Sequence, residues 1–183
     1  MNPTWGDVVK KREELSTLNL DYYLRHNLFN FDWWLILALT VFSYIIWCRF
    51  VDKKRIREIL LFGLMIIAIA DFIDVLGTGY MLWGYPNMII PAVPPLYGVN
   101  YAFLPVTYSL IYQYTQNWKS FIIAMVIMAI VFAFIGEPLF IWLKIYDLHN
   151  WKSIYSFPLY IILGVIVKWT IDKVSFISKK QTS

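Results

Sequence analysis

Apolar positions along the chain gather into five long runs, at 33–51, 59–82, 99–114, 121–143 and 154–171, with short polar connections between them. Most of the runs approach the ~20 residues that an α-helix needs to cross ~30 Å of hydrocarbon. The third is the shortest, and Pro105 inside it predicts a kink or a local break. Ahead of the first run, residues 7–27 are polar, with Val8, Leu15, Leu18 and Tyr22 at roughly helical spacing. That spacing predicts an amphipathic helix lying at a membrane surface. The expected fold is therefore all-α, a polytopic membrane helix bundle of about five transmembrane helices preceded by an interfacial helix. It divides into an N-terminal amphipathic segment (1–30), the bundle (31–173) and a short basic cytoplasmic tail (174–183).

Composition agrees with this division. The chain is 60% hydrophobic and 15% charged, against about half apolar and about a quarter charged in ordinary soluble domains. A core of this size cannot hide so much apolar surface, so lipid must cover the excess. The net charge of +4 is small, and Lys and Arg are not interleaved with exposed aromatics, which excludes a nucleic-acid partner. Membrane lipids and a small apolar ligand are the expected partners, and the oligomeric state stays open. A single cysteine, Cys48, lies in the first run and excludes an intramolecular disulfide and a cysteine metal cluster. No cleavable signal peptide is expected, because Lys10, Lys11, Arg12, Glu13 and Glu14 interrupt the region where its apolar core would lie.

Charge also predicts orientation. Arg49, Lys53, Lys54, Arg55 and Arg57 crowd the first connection, and Lys168, Lys173, Lys179 and Lys180 stand at the end of the last run and in the tail. Five spans put both groups on one side, and basic residues favour the cytoplasm. The expectation is a multi-pass protein of the cell membrane, with the N-terminus outside and the C-terminus cytoplasmic. The tetrapeptide Asn-Trp-Lys-Ser occurs at 117–120 and 150–153, each time before a run. Trp and Lys anchor at an interface and Ser can cap a helix, which accounts for the repeat without a duplication.

Candidate chemistry concentrates in the outer half. From Val75 through Trp118 there is no charged residue or histidine, yet the stretch holds Trp83, Tyr85, Pro86, Pro91, Pro94, Pro95, Tyr97, Asn100 and Tyr101. Prolines at that density predict a shaped loop over 82–98, serving as an aromatic lid or as the wall of a site. Asp71 and Asp74, three residues apart, project from one face of the second helix. A rise of ~1.5 Å per residue puts them roughly 18 and 22 Å across the membrane, and Glu137 about 24 Å across from the same side. Acids at such depth must face the bundle or a polar cavity. They can share protons with Tyr80, Asn100, Tyr101, Tyr108 or Gln113, bind a cation, or form a polar knot that fixes helix register, and the sequence does not choose. Signatures of metalloproteases, phosphate loops, serine hydrolases and redox cysteine pairs are absent. No cofactor and no metal is called for.

Two resemblances follow. Asp52-Lys53-Lys54-Arg55 with Glu58-Ile59, then Asp74, Trp83-Gly84-Tyr85-Pro86, Pro94-Pro95, Leu104-Pro105, Tyr112-Gln113-Tyr114, Trp118-Lys119, Glu137-Pro138 and Tyr155-Ser156-Phe157-Pro158 resemble a family of small uncharacterised multi-pass membrane proteins of Gram-positive, spore-forming bacteria. That likeness implies no reaction or ligand. Asp74, Trp83 and Tyr85 are similar in spacing to part of the lycopene cyclase domain, which implies a fold able to hold a long apolar molecule. The chain departs from that domain at 104–107, where Leu-Pro-Val-Thr replaces paired glutamates. The function expected is binding of a lipid or a small apolar or cationic ligand in an outer-half pocket with intramembrane acids. The alternatives are an enzyme acting on a lipid or isoprenoid by acid catalysis, and a small proton- or cation-coupled transporter.

Overall fold

The computed structural model describes residues 2–91 and 96–181; Pro94 and Pro95 lie outside the described residues. Helix α1 (Trp5–Tyr22) begins at a capping box. The Asp7 amide donates to the Thr4 hydroxyl, and the Thr4 amide donates to the Asp7 carboxylate at 2.8 Å, so two otherwise orphan donors are satisfied. The helix buries none of its residues and leaves Trp5, Leu15 and Leu18 exposed. It passes into a wide π turn (Tyr23–Asn27) whose Tyr23 and Asn27 are buried.

Helix α2 (Phe31–Phe50) ends where Val51 turns extended, and Asp52 then caps a short 3-10 turn (Lys53–Arg55). Helix α3 (Ile56–Gly79) follows. The third apolar run forms a π turn (Val99–Phe103) leading straight into α4 (Leu104–Tyr114). Helix α5 (Trp118–Val131), a second such turn (Phe132–Gly136) and α6 (Glu137–Trp142) make one rod, and α7 (Ser153–Gln181) closes the bundle.

Four segments, Phe31–Phe50, Lys53–Gly79, Trp118–Trp142 and Ser153–Ser175, are long and apolar enough to cross a membrane. The protein is a membrane-spanning all-α bundle. The remaining run, 99–114, is helical but shorter, and it lies antiparallel along α3: Asn100 meets Asp74 at one end, and Tyr112 meets Glu58 at the other. The break expected at Pro105 takes the form of the π turn just before it, a widening that gives room to a proline ring which would clash with the preceding turn of an unbroken α-helix. Pro138 stands in the same relation to the second π turn. The segment 174–183, expected as a tail, continues α7 as far as Gln181.

The core forms where α3, α4, α5 and α7 meet, around Phe62, Ile66, Tyr108, Phe121, Met125 and Val167. Outside it, Phe42, Ile45, Leu64, Phe72 and Ile127 are about half exposed or more, an apolar coat that only lipid can cover without penalty. Helix α2 packs on the 99–114 segment, whereas α5 and the turn that follows it pack with α7, and α5 also touches α4. Gly98 sets the first of these contacts: a Cβ there would lie 2.4 Å from Thr40 Oγ1.

One end of the bundle is basic. The Arg55 guanidinium donates to the Gln113 carbonyl, the Asp52 amide donates to Gln113 Oε1, and Gln113 Nε2 donates to the Phe50 carbonyl. Lys168, counted above with the surface cations, is buried with its ammonium 5.1 Å from the ring centres of Tyr112 and Trp118 and 3.3 Å from Asp172. At the other end Met81 (φ 54°) and Lys144 (φ 55°) adopt left-handed conformations just beyond α3 and α6, a common way for a chain to leave a helix. This turns β1 (Trp83–Gly84) against β2 (Asp147–Leu148), antiparallel, with Trp83 opposite Leu148. The two Asn-Trp-Lys-Ser copies part company here. Asn117 caps α5 by accepting from the Ser120 amide, while Asn150 donates to the Met81 carbonyl and helps tie together the two connections at this end of the bundle.

Candidate functional site

Asp74 lies about one and a half turns before the end of α3 and only nine residues from Trp83 in sequence, and the short β pairing folds the connection after α3 back over it. The Trp83 indole donates to Asp74 Oδ1 at 3.0 Å and the Tyr85 hydroxyl to the same oxygen at 2.7 Å. From the far side Asn100, presented by the Val99–Phe103 π turn, donates to Oδ2 at 2.6 Å. Three donors to one carboxylate offset much of the cost of placing it at this depth. Gly77 makes the arrangement possible, because the Trp83 ring lies flat against its backbone and a Cβ would meet Cζ2 at 2.0 Å.

Glu137 opens α6 and is buried, 7% exposed. The Tyr160 hydroxyl of α7 donates to Oε1 at 2.9 Å, and Oε2 is buried with no hydrogen-bond partner. The Trp151 indole packs edge-on against Trp83 at 5.1 Å and donates to Ser156 Oγ at 3.0 Å. Tyr146 stacks on Tyr85 at 5.7 Å. Burial and the nearby Asp74 carboxylate push the Tyr85 phenol well above its ordinary pKa, and burial with the Glu137 and Asp74 carboxylates does the same to Tyr146. Both connection tyrosines therefore stay protonated as O–H donors.

These groups surround one cavity of about 450 Å³. Its polar end holds Asp74, Glu137, Asn100, Tyr146 and Ser156, and the rest of its wall is aliphatic and aromatic. Leu35 and Leu39 of α2 form one flank and Val131, Ile135 and Leu139 the other. The latter three are 43%, 61% and 47% exposed, so the cavity reaches the lipid-facing surface between α2 and the α5–α6 rod.

The lid over it is the chain that follows α3, residues 80–91. The Tyr23 hydroxyl donates to the Ile89 carbonyl at 2.6 Å, and Asn27 donates to the Pro86 carbonyl at 3.0 Å. Asn87 donates to Asp32 at 3.0 Å and to the Lys144 carbonyl at 3.1 Å. The N-terminal segment thus clamps the lid on the bundle.

Of the residues singled out from sequence, Asp74, Glu137, Trp83, Tyr85 and Asn100 come together on this cavity. Asp71 stands aside, half-exposed, with a 3.3 Å contact from Asn100 and the Tyr101 hydroxyl beside it. Tyr101 stacks on Tyr97 at 4.7 Å instead of turning inward. Tyr108 is in the core, where its hydroxyl donates to the Tyr160 carbonyl at 2.7 Å. Gln113 is at the opposite, basic end of the bundle, and Tyr80 is 75% exposed. Sequence reasoning passed over Tyr146, Trp151, Ser156 and Tyr160. Depth alone could have found Tyr160: it lies two turns into α7, about 10 Å from the outer end, and Glu137 lies about 8 Å from the same end of α6. Among the described residues, no group of three or more His, Cys, Asp or Glu is placed to hold a metal ion. Comparison with protein-family models, curated proteins and solved structures finds no match to this chain.

Proposed function

We propose that the protein binds a lipid or another small apolar molecule in this outer-half pocket. The observation that carries the reading is one apolar cavity lined by carboxylates from two different helices, Asp74 of α3 and Glu137 of α6. Its volume falls within the ~300–1,000 Å³ of small-molecule sites, and such sites are mostly apolar with a few convergent polar groups. Acids are expensive at this depth, and a polar knot serving structure alone needs no cavity beside it. Wide π turns also recur at functional sites, and here two of them contribute to the wall. The lid end is assigned to the outside of the cell membrane and the basic end to the cytoplasm, because Lys and Arg beside helix ends favour the cytoplasmic face.

A second reading draws on the same pair of acids: acid catalysis on a lipid or isoprenoid, one carboxyl protonating the molecule and the other stabilising the cation that forms. Native mass spectrometry of the purified protein with its co-purifying lipids separates these readings from a purely structural one. The pocket reading expects a bound chain that Leu39→Trp expels. Chemical alteration of that chain on incubation, lost in Asp74→Asn or Glu137→Gln, favours catalysis. Failure to find any bound molecule, with Leu39→Trp behaving as the parent, overturns both.

A further inference from the structure

We infer that the occupant is a long-chain amphiphile whose polar end donates a hydrogen bond, as a hydroxyl or an ammonium group, to Glu137 beside Asp74 while its chain leaves between α2 and the α5–α6 rod. This inference rests on the pocket reading above and gives it a head-group chemistry. Three observations converge on it.

The first is an imbalance of donors and acceptors. Trp83, Tyr85 and Asn100 already donate to Asp74, Tyr160 to Glu137, and Trp151 to Ser156. No hydrogen bond of good geometry reaches Glu137 Oε2, which stays buried, although the Ser153 and Ser156 hydroxyls stand close to the carboxyl group. A buried acceptor left bare costs free energy that an incoming donor recovers. Rotation about the soft last torsion of the glutamate presents that oxygen to the cavity that Glu137 lines.

The second is charge. Two carboxylates face this space, and none of the residues lining it is Lys, Arg or His. A fatty acid or phosphate head would find carboxyl groups beside it and no counter-charge. A hydroxyl meets an acceptor, and an ammonium meets both an acceptor and the opposite charge.

The third is the path of the chain. The slot leading away from the acids is flanked by Leu35 and Leu39 on one side and by the exposed Val131, Ile135 and Leu139 on the other. These helices span the membrane, so the slot opens onto acyl chains and not onto water. A molecule of uniform polarity fits only one end of such a space.

The test is a competition. The purified protein in detergent is offered equimolar octadecanol, octadecylamine and octadecyl methyl ether, and the retained species are counted by native mass spectrometry. The three chains are alike; the ether accepts but cannot donate. The expectation is that the alcohol or the amine is retained about tenfold over the ether, the size of one hydrogen bond to a charged group. Which of the two wins tells a neutral head from a cationic one.

Glu137→Gln sharpens the result. The Tyr160 hydroxyl must donate to an oxygen, so the amide carbonyl keeps it and the NH2 group takes the place of the free oxygen. The amine, which cannot accept, then loses about tenfold, and the alcohol falls to parity with the ether. Equal retention of all three heads by the parent protein overturns the inference and leaves the pocket reading standing. A head preference unchanged in Glu137→Gln also overturns it. Retention of no chain, whatever its head, removes the inference and the pocket reading together.

Discussion

Gly77→Ala adds one methyl group where the structure has no room for it. The new Cβ would stand 2.0 Å from Trp83 Cζ2 and 2.3 Å from Cη2, whereas carbon atoms in contact sit about 3.5–4.0 Å apart. Helix backbone and indole are both rigid, so the ring must retreat by roughly 1.5 Å or more. The indole donates to Asp74 at 3.0 Å, and a retreat of that size takes it beyond the ~3.2 Å limit of a good N–H···O bond. Losing a hydrogen bond to a carboxylate costs about 1.5–3 kcal/mol, and overpacking adds about 1–3 kcal/mol. The two share one side chain and need not add fully, so a loss of about 2.5–6 kcal/mol is an upper bracket.

Gly79, two residues on, has nothing within 4 Å of its added Cβ, and Gly79→Ala should change stability by no more than about 0.5 kcal/mol. Unfolding of both variants by SDS in mixed micelles, followed by far-ultraviolet circular dichroism, measures the difference. The Trp83 indole proton in an NMR spectrum reports its hydrogen bond directly. If Gly77→Ala and Gly79→Ala unfold together, or the indole signal of Gly77→Ala is unmoved, the placement of Trp83 against α3 is wrong.

Asp74→Ala strands the Trp83, Tyr85 and Asn100 donors and should cost about 3 kcal/mol or more. Asp74→Asn should cost less because Asn100 can turn its amide, and Asp71→Ala should cost less than about 1 kcal/mol; the same unfolding assay ranks them. Tyr23→Phe removes the clamp on the Ile89 carbonyl, so amides of 85–91 should exchange faster while those of α3 and α4 keep their rates in hydrogen–deuterium exchange. The Thr4 amide and hydroxyl hold the Asp7 carboxyl below its ordinary pKa. The cap's contribution is therefore present above the ordinary carboxylate pKa and fades as pH falls through the lowered one. Backbone chemical shifts of residues 5–9 should move toward coil on acidification, and Asp7→Asn should abolish that pH response.

The helices were legible because lipid imposes a length and a composition that sequence cannot conceal. Asp74, Trp83 and Tyr85 were linked only by a resemblance in spacing, and of the partners expected from residue type only Asn100 donates to Asp74, because the indole and phenol reach it through a fold of the connection that residue type does not reveal. Gln113 was grouped with the acids on residue type, although thirteen residues separate it from Asn100, about 20 Å along a helix. Spacing already placed it at the far end. The pairing of Tyr160 with Glu137 rests on α7 packing beside α6, a contact between segments 23 residues apart. Nothing local specifies it. The π turns were not legible either: each differs from an α turn by a single added residue, and only Pro105 and Pro138 stand nearby as a trace. Lys168 read as a surface cation, since a sequence cannot say that three rings and Asp172 will enclose it.

Each of those two wide turns is, in effect, a one-residue change of phase. A residue advances an α-helix by about 100°, so the outer part of each rod is clocked against an inner part that the core holds fixed. Remove one residue between Phe132 and Gly136, and α5 would run on as an ordinary helix, still long enough to span and still apolar. Glu137, however, would swing about a quarter turn off the cavity. A chain one residue shorter there could keep this bundle and lose its pocket. Gap placement between Val131 and Pro138, more than overall similarity, would then tell which related chains share the site.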